Sequence, residues 1–200
     1  MEVPLRKSTR PFPSYAHRPG TTPHPINDPR GHSYHNPGAA THPFPAVMPD
    51  APSLPASETY RYAIDLYNAG FWWEAHEEWE SLWLIAKAQP PAAAHIPISA
   101  PPTNPTARPT ANFLRGLIQS AAFQLKLSIN ERPGCQRLLA RLSANFAPVI
   151  ASIQPSRHFA GVDVVALLRS LQSQLPTPGT LAEPFEFIVL ASPSAPAPPQ

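Results

Sequence analysis

The stretch Phe71-Trp72-Trp73-Glu74-Ala75-His76-Glu77-Glu78-Trp79-Glu80-Ser81-Leu82-Trp83 gathers side chains able to do chemistry. It holds all four tryptophans of the chain, one histidine and four glutamates. On a helical wheel Trp72, Ala75, His76, Trp79, Leu82, Trp83 and Ala86 share one face. Glu74, Glu78 and Ser81 fall on the opposite face, expected to be solvated, and Glu77 and Glu80 lie around one flank. His76 is therefore expected inside a tryptophan-rich stripe, mostly buried, with Glu80 one turn on at its edge. Each unsatisfied buried polar group costs about 1–3 kcal/mol, so the imidazole must find partners. A buried carboxylate needs a donor still more. The expected polar cluster has His76 and Glu80 as members and Glu77 as a third. Gln119 and Arg115, on a later helix, are candidate donors, with Gln119 preferred as the contact of His76.

Three chemistries fit such a cluster. A His76–Glu80 hydrogen bond can simply fix helix packing. His and Glu at i, i+4 can ligate one ion, as helix bundles do. The pair can also line a ligand or partner pocket together with Trp79 and Trp83. The string His-Glu-x-x-Glu lacks the second histidine of the zincin pattern His-Glu-x-x-His, and Glu-x-x-His occurs nowhere in the chain. Outside the N-terminal region only His95 and His158 remain as further nitrogen ligands. There is no glycine-rich phosphate loop, no Cys-x-x-Cys and no serine in an elbow-type sequence. The residues thus point to a non-enzymatic helical domain whose His/Glu/Trp cluster is a structural core or a pocket for a protein or small-molecule ligand. A metal-dependent hydrolase centred on His76 and Glu80 is the alternative. No cofactor is expected outside that alternative, where a divalent metal would be needed.

The elements that must position these residues are helices. Of the 30 prolines, 13 lie in residues 1–55, seven between Pro90 and Pro109, and four in the last eight residues. The expected organisation is a disordered Pro/His-rich tail over 1–55, a helical domain over 56–190 interrupted by a Pro-rich spacer at 89–110, and a disordered tail over 191–200. The first helix reads from Glu58 to Ala69, with Ser57 or Thr59 as cap and Gly70 as terminator. The second runs from Phe71 to Ala88 and forms a hairpin with the first. A third, Ala111 to Asn130, has an apolar arc wide enough for more than one partner. A fourth starts near Gly134 and is kinked or ended by Pro148. A fifth runs from Asp163, as N-cap, to Leu175. Phe185 to Leu190 reads as an extended segment lying over the helices. The fold class is all-α, a small bundle of about five helices.

Composition narrows the function further. Charged residues are 14% of the chain and the net charge is +2, so no nucleic-acid partner is expected. No run approaches the ~20 apolar residues of a membrane helix, and the N-terminus lacks a secretory pattern, so a cytoplasmic location is expected. Cys135 alone makes no intramolecular disulfide and reads as a small core residue. His17, His24, His32, His35 and His42 are irregularly spaced in the tail, which argues against a built metal site there. Residues 56–89 carry six acids and two bases, whereas 108–175 carry eight bases and two acids. The acidic hairpin is therefore expected to pack on the basic helices.

Residues Tyr67 to Trp83 resemble the opening motif of the bacterial family known as domain of unknown function 309. That motif reads approximately Phe-Asn-x-Gly-x-x-x-Glu-Ala-His-Glu-x-x-Glu-x-x-Trp. Its second block, Gly-Leu-Ile-Gln-x-Ala, is matched by Gly116 to Ala121, and a weaker third block by Gly134-Cys135 and Leu138-Leu139. The resemblance implies a small all-helical protein of roughly five helices without an established activity. It carries over Asn68, Gly70, His76, Glu77, Glu80, Trp83 and Gln119, which adds Asn68 to the candidate cluster. The Pro-rich head and spacer depart from the family pattern. A tetratricopeptide pair is a weaker echo, since no second repeat follows.

Overall fold

The computed structural model describes residues 4–34, 51, 53–88, 109–175 and 188–190. Five helices follow in order: α1 (Glu58–Asn68), α2 (Trp72–Ala88), α3 (Pro109–Ser128), α4 (Arg132–Ser152) and α5 (Val164–Ser173). A single 3-10 turn at Leu54–Ala56 precedes α1. The architecture is all-α, with α3 packed between α2 and α4. A small antiparallel hairpin, β1 (His158–Phe159) and β2 (Val162–Asp163), links α4 to α5. Its two turn residues, Ala160 and Gly161, have φ of 47° and 79°. Such turns match the twist of paired strands, and apolar periodicity alone did not show this one.

Local chemistry sets the boundaries. Ser57 caps α1 by accepting from the Tyr60 N–H at 3.4 Å. Gly70, at φ 83°, ends it, and the Phe71 N–H donates back to the Leu66 carbonyl at 2.9 Å. This left-handed terminus reverses the chain into α2 within three residues. Asp163 caps α5 through the Ala166 N–H at 2.9 Å, as its sequence position suggests. Of the two outcomes expected at Pro148, an end to the helix does not occur: α4 continues to Ser152. A proline inside a helix costs roughly 3 kcal/mol or more. Full burial of Phe146 and Val149 on either side of it holds the helix together.

The core is aromatic. Tyr60, Tyr67, Trp79, Phe113, Phe123 and Phe146 are fully buried. Trp79 packs on Tyr67 at 5.6 Å between ring centroids, and Phe113 meets Phe159 at 4.8 Å. Cys135 is a core residue: its thiol donates to the Phe123 carbonyl at 3.7 Å, and burial pushes its pKa up. Ile188 lies over α1, exchanging two 2.8 Å hydrogen bonds with the Asn68 side chain. Leu190 bridges to Val162. The expected extended segment over the helices is thus seen at 188–190; its first residues, the spacer 89–108 and the tail 191–200 lie outside the described residues.

The largest departure from expectation is the N-terminal region. Residues 4–34 are not a free tail but run across the outer face of α1 and α2. The Lys7 and Ser8 N–H groups donate to the Asp65 carboxylate at 2.8–3.0 Å. The Ser8 hydroxyl and Thr9 N–H donate to Glu58, at 2.6 and 3.1 Å. Arg10 forms a bidentate pair with Glu78 and lies 3.9 Å over the Tyr62 ring. Phe12 stacks on Phe71 at 5.1 Å, and the Tyr62 hydroxyl donates to the Pro11 carbonyl at 2.7 Å. Residues 4–34 hold five Lys or Arg and one Asp, so this arm is the basic partner that the acidic hairpin takes. Among the described residues no ion pair joins the hairpin carboxylates to α3, α4 or α5. Glu74 is correspondingly not solvated. It is 4% exposed, accepting from the His17 N–H at 2.8 Å with His32 Nε2 at 2.9 Å.

Two outcomes follow from this packing. A Cβ at Gly116 would overlap the buried Phe146 ring where α3 meets α4. Gly116→Ala is expected to lower unfolding free energy by about 1–3 kcal/mol in a denaturant titration. Separately, His17 is 6% exposed, and burial followed by the neighbouring His24 lowers its pKa from 6.5. A base depressed in the docked state supports docking above pH 6.5 and withdraws that support as pH falls below it. Trp73 packs against the His17, His24 and His32 rings. Acidification from neutral pH should therefore change a tryptophan emission component that Trp73→Phe removes and His17→Gln diminishes.

Candidate metal centre

Helix α2 has three longitudinal strips. Ala75, Trp79, Leu82 and Ala86 form its buried line. Glu74 and Glu78 lie on the strip under the arm. His76, Glu77 and Glu80 occupy a partly exposed strip beside α3. One ligand atom from each of these three residues can be chosen so that all lie within 4.8 Å of one another. Helical spacing produces this convergence: i, i+1 and i+4 place the last residue one turn above the first two.

The His76 side chain is 30% exposed and that of Glu80 42%, so the pair sits at the rim rather than inside the core. Nε2 of His76 faces Glu80 Oε2 at 3.6 Å, an ionic contact longer than a hydrogen bond. Gln119 is not the α3 partner of the ring; the α3 group that acts on it is the main-chain carbonyl of Ile118, which draws its pKa upward. Burial lowers the His76 pKa, while Glu80 and the Ile118 carbonyl pull the other way. The Glu77 pKa is raised to about 7, first by burial and then by the carboxylates of Glu80 and Glu74.

The other candidates lie elsewhere. Asn68 is occupied by Ile188 on α1. Trp79 is fully buried against Tyr67 and belongs to the core. The Gln119 amide oxygen accepts from Asn145 Nδ2 at 2.7 Å and ties α3 to α4. Trp83 is half-buried next to the strip, with Lys87 Nζ 5.0 Å and Arg115 Cζ 5.8 Å from its ring centroid. Wheel geometry found His76, Glu77 and Glu80. His76 is expected mostly buried and is 30% exposed, but its ring lies at the seam with α3 rather than among the core aromatics, because the wheel does not tell which part of a wide face meets α3.

With the geometry in place, comparison with known proteins adds one finding. Residues 60–96 match the family model for a domain of unknown function (DUF309), the family that the Tyr67–Trp83 motif resembles. The matched stretch contains all three residues of the cluster, while Gly116–Ala121 and Gly134–Leu139 lie beyond it. Neither a curated protein nor a solved structure matches the chain. Among the described residues, no helix is long and apolar enough to cross a membrane.

A carboxyl whose pKa rises from 4.5 to about 7 on folding is destabilising once ionised, by up to about 3 kcal/mol at pH 8. The sign is fixed: this contribution favours the fold below pH 4.5 and is lost as pH rises through 7. Glu77→Gln is therefore expected to raise the thermal midpoint of the metal-free protein at pH 8, with little change at pH 5. Calorimetry at both pH values measures the difference.

Proposed function

We propose that this helical domain binds a first-row divalent cation through His76, Glu77 and Glu80 and serves as a metal-dependent hydrolase. The observation that carries the reading is the convergence of one imidazole and two carboxylates at the rim of α2. Electrostatics support it. A rim-exposed His–Glu pair at i, i+4 contributes only a few tenths of a kcal/mol to a fold, and Glu77 beside it works against stability. A cluster that weakens the free protein is better explained by a cation that relieves the carboxylate repulsion than by a packing role.

The donor set suits such an ion. Imidazole nitrogen and carboxylate oxygen together fit zinc, iron(II) or manganese better than copper(I) or calcium. Three protein donors leave coordination positions open, as in hydrolytic rather than structural sites. When bound there, the ion would supply Lewis-acid activation of water. The chain's own residues have separate tasks. His76 would offer Nε2, the ring nitrogen that faces Glu80. Glu80 sits one turn above and closes the set. Glu77 gives up its proton near neutrality, so binding strengthens as pH rises through 7.

Isothermal titration of the full chain with zinc, then manganese, tests the proposal. One ion per chain is expected at pH 7.5, with affinity falling on acidification below pH 7 and at least about a hundredfold in His76→Ala. The arm histidines provide the control. Zinc binding that survives His76→Ala and disappears in a His17/His24/His32 triple asparagine variant would overturn the assignment, as would absence of stoichiometric binding.

A further inference from the structure

The strip that holds His76, Glu77 and Glu80 ends at Trp83, one helical turn beyond Glu80. Against the Trp83 ring stands the guanidinium of Arg115, at 5.8 Å from its centroid. Arg115 lies on α3 one turn before Ile118, whose main-chain carbonyl acts on the His76 ring. The guanidinium is therefore on the α3 side of the same seam, at the Trp83 end of the strip. Arg115 is exposed, and among the described residues it has no carboxylate within 4 Å. The other acids of this region are taken. The arm holds Glu58, Asp65, Glu74 and Glu78, and Lys126 and Arg137 hold Glu131.

We infer that Arg115 is the oxyanion-binding residue of this site, and that its substrates carry a phosphoryl or carboxylate group next to the bond the ion would activate. The inference rests on the metal-binding reading above. Charge supplies the reason. Two ionised glutamates cancel a divalent cation, so the loaded cluster has no net attraction left for an anion. A neighbouring guanidinium with five N–H donors restores it and presents the fork that matches phosphate or carboxylate oxygens. The Trp83 face attracts the guanidinium by a cation–π interaction at 5.8 Å, which limits the orientations it must lose on binding. Arg115 is thus a specificity-determining residue, and Trp83 is a positioning residue acting through it.

The test uses full-length protein loaded with one equivalent of zinc and titrated calorimetrically with inorganic phosphate and, separately, acetate. Wild type should bind at least one of the two anions. Arg115→Ala should weaken that binding by about tenfold or more while zinc affinity stays within about twofold, and Arg115→Lys should recover part of the loss. Tighter binding of phosphate or of acetate identifies which oxyanion the site takes. Equal anion affinity in wild type and Arg115→Ala, with zinc bound in both, would overturn this inference and leave the metal reading standing. Zinc-loaded wild type that binds neither anion would overturn it as well. Wild type that takes up no zinc would overturn both.

Discussion

Helix α2 must accommodate four glutamates within seven residues while burying Trp79 against the rest of the bundle. In this fold that arc of carboxylates is covered from two directions, by the N-terminal arm over Glu74 and Glu78 and by α3 beside Glu77. The structure resolves this on the two sides of α2 in opposite ways. On the outer side the carboxylates are engaged: a main-chain N–H and an imidazole converge on Oε1 of Glu74, a bidentate arginine holds Glu78, and related contacts serve Glu58 and Asp65 on α1. Ser8 and Arg61 together hold Glu58 down to about 2. On the inner side, beside α3, Glu77 and Glu80 receive no such help, and Glu77 is pushed up to about 7. The α1–α2 hairpin therefore carries carboxyls shifted in opposite directions, Glu58 down and Glu77 up.

The arm is the agent of that asymmetry. Main-chain N–H groups of Lys7, Ser8, Thr9 and His17 turn to carboxylates, while the second half of the arm closes its own turns, from Thr21 N–H to the Arg18 carbonyl through Tyr34 N–H to the Gly31 carbonyl. Arginine and phenylalanine side chains between them meet Tyr62 and Phe71. Chain entropy opposes ordering such a segment. Several charge-assisted hydrogen bonds and aromatic contacts distributed along it offset that entropy. The arm also explains why α1 is buried over nearly its whole circumference: Tyr62 and Asp65 lie under the arm, Asn68 under Ile188, and Tyr60 and Tyr67 in the core.

Close approach on the far side of α3 has a different origin. Gly116 lets the Phe146 ring of α4 reach the α3 backbone, and Gln119 one turn on is tied to Asn145. The residues of this block that resemble the second family motif are thus engaged with α4, whereas Ile118 and Arg115 turn toward α2. Helix α3 links packing on one face to the candidate centre on the other, which is why its apolar arc is so wide.

Much of this was legible in the residues alone. Apolar periodicity and capping chemistry located all five helices to within a few residues, because each boundary is a local event: Ser57 at one end of α1, Gly70 at the other, Asp163 ahead of α5. The spacing of His76, Glu77 and Glu80 placed them together, since one turn of helix suffices. What periodicity could not decide was which apparently polar face would meet water. Glu74 looked solvated because no partner is near it in sequence; its partners, His17 and His32, come from more than forty residues away. Proline-rich composition pointed to a free tail for the same reason. Proline chemistry left open whether Pro148 kinks or ends α4; the helix runs through it to Ser152, with Phe146 and Val149 buried on either side. Short-range spacing determined the helices and the cluster. Long-range pairing of charges and main-chain donors, which only the tertiary structure decides, determined which carboxylates are satisfied and which are left to bind something else.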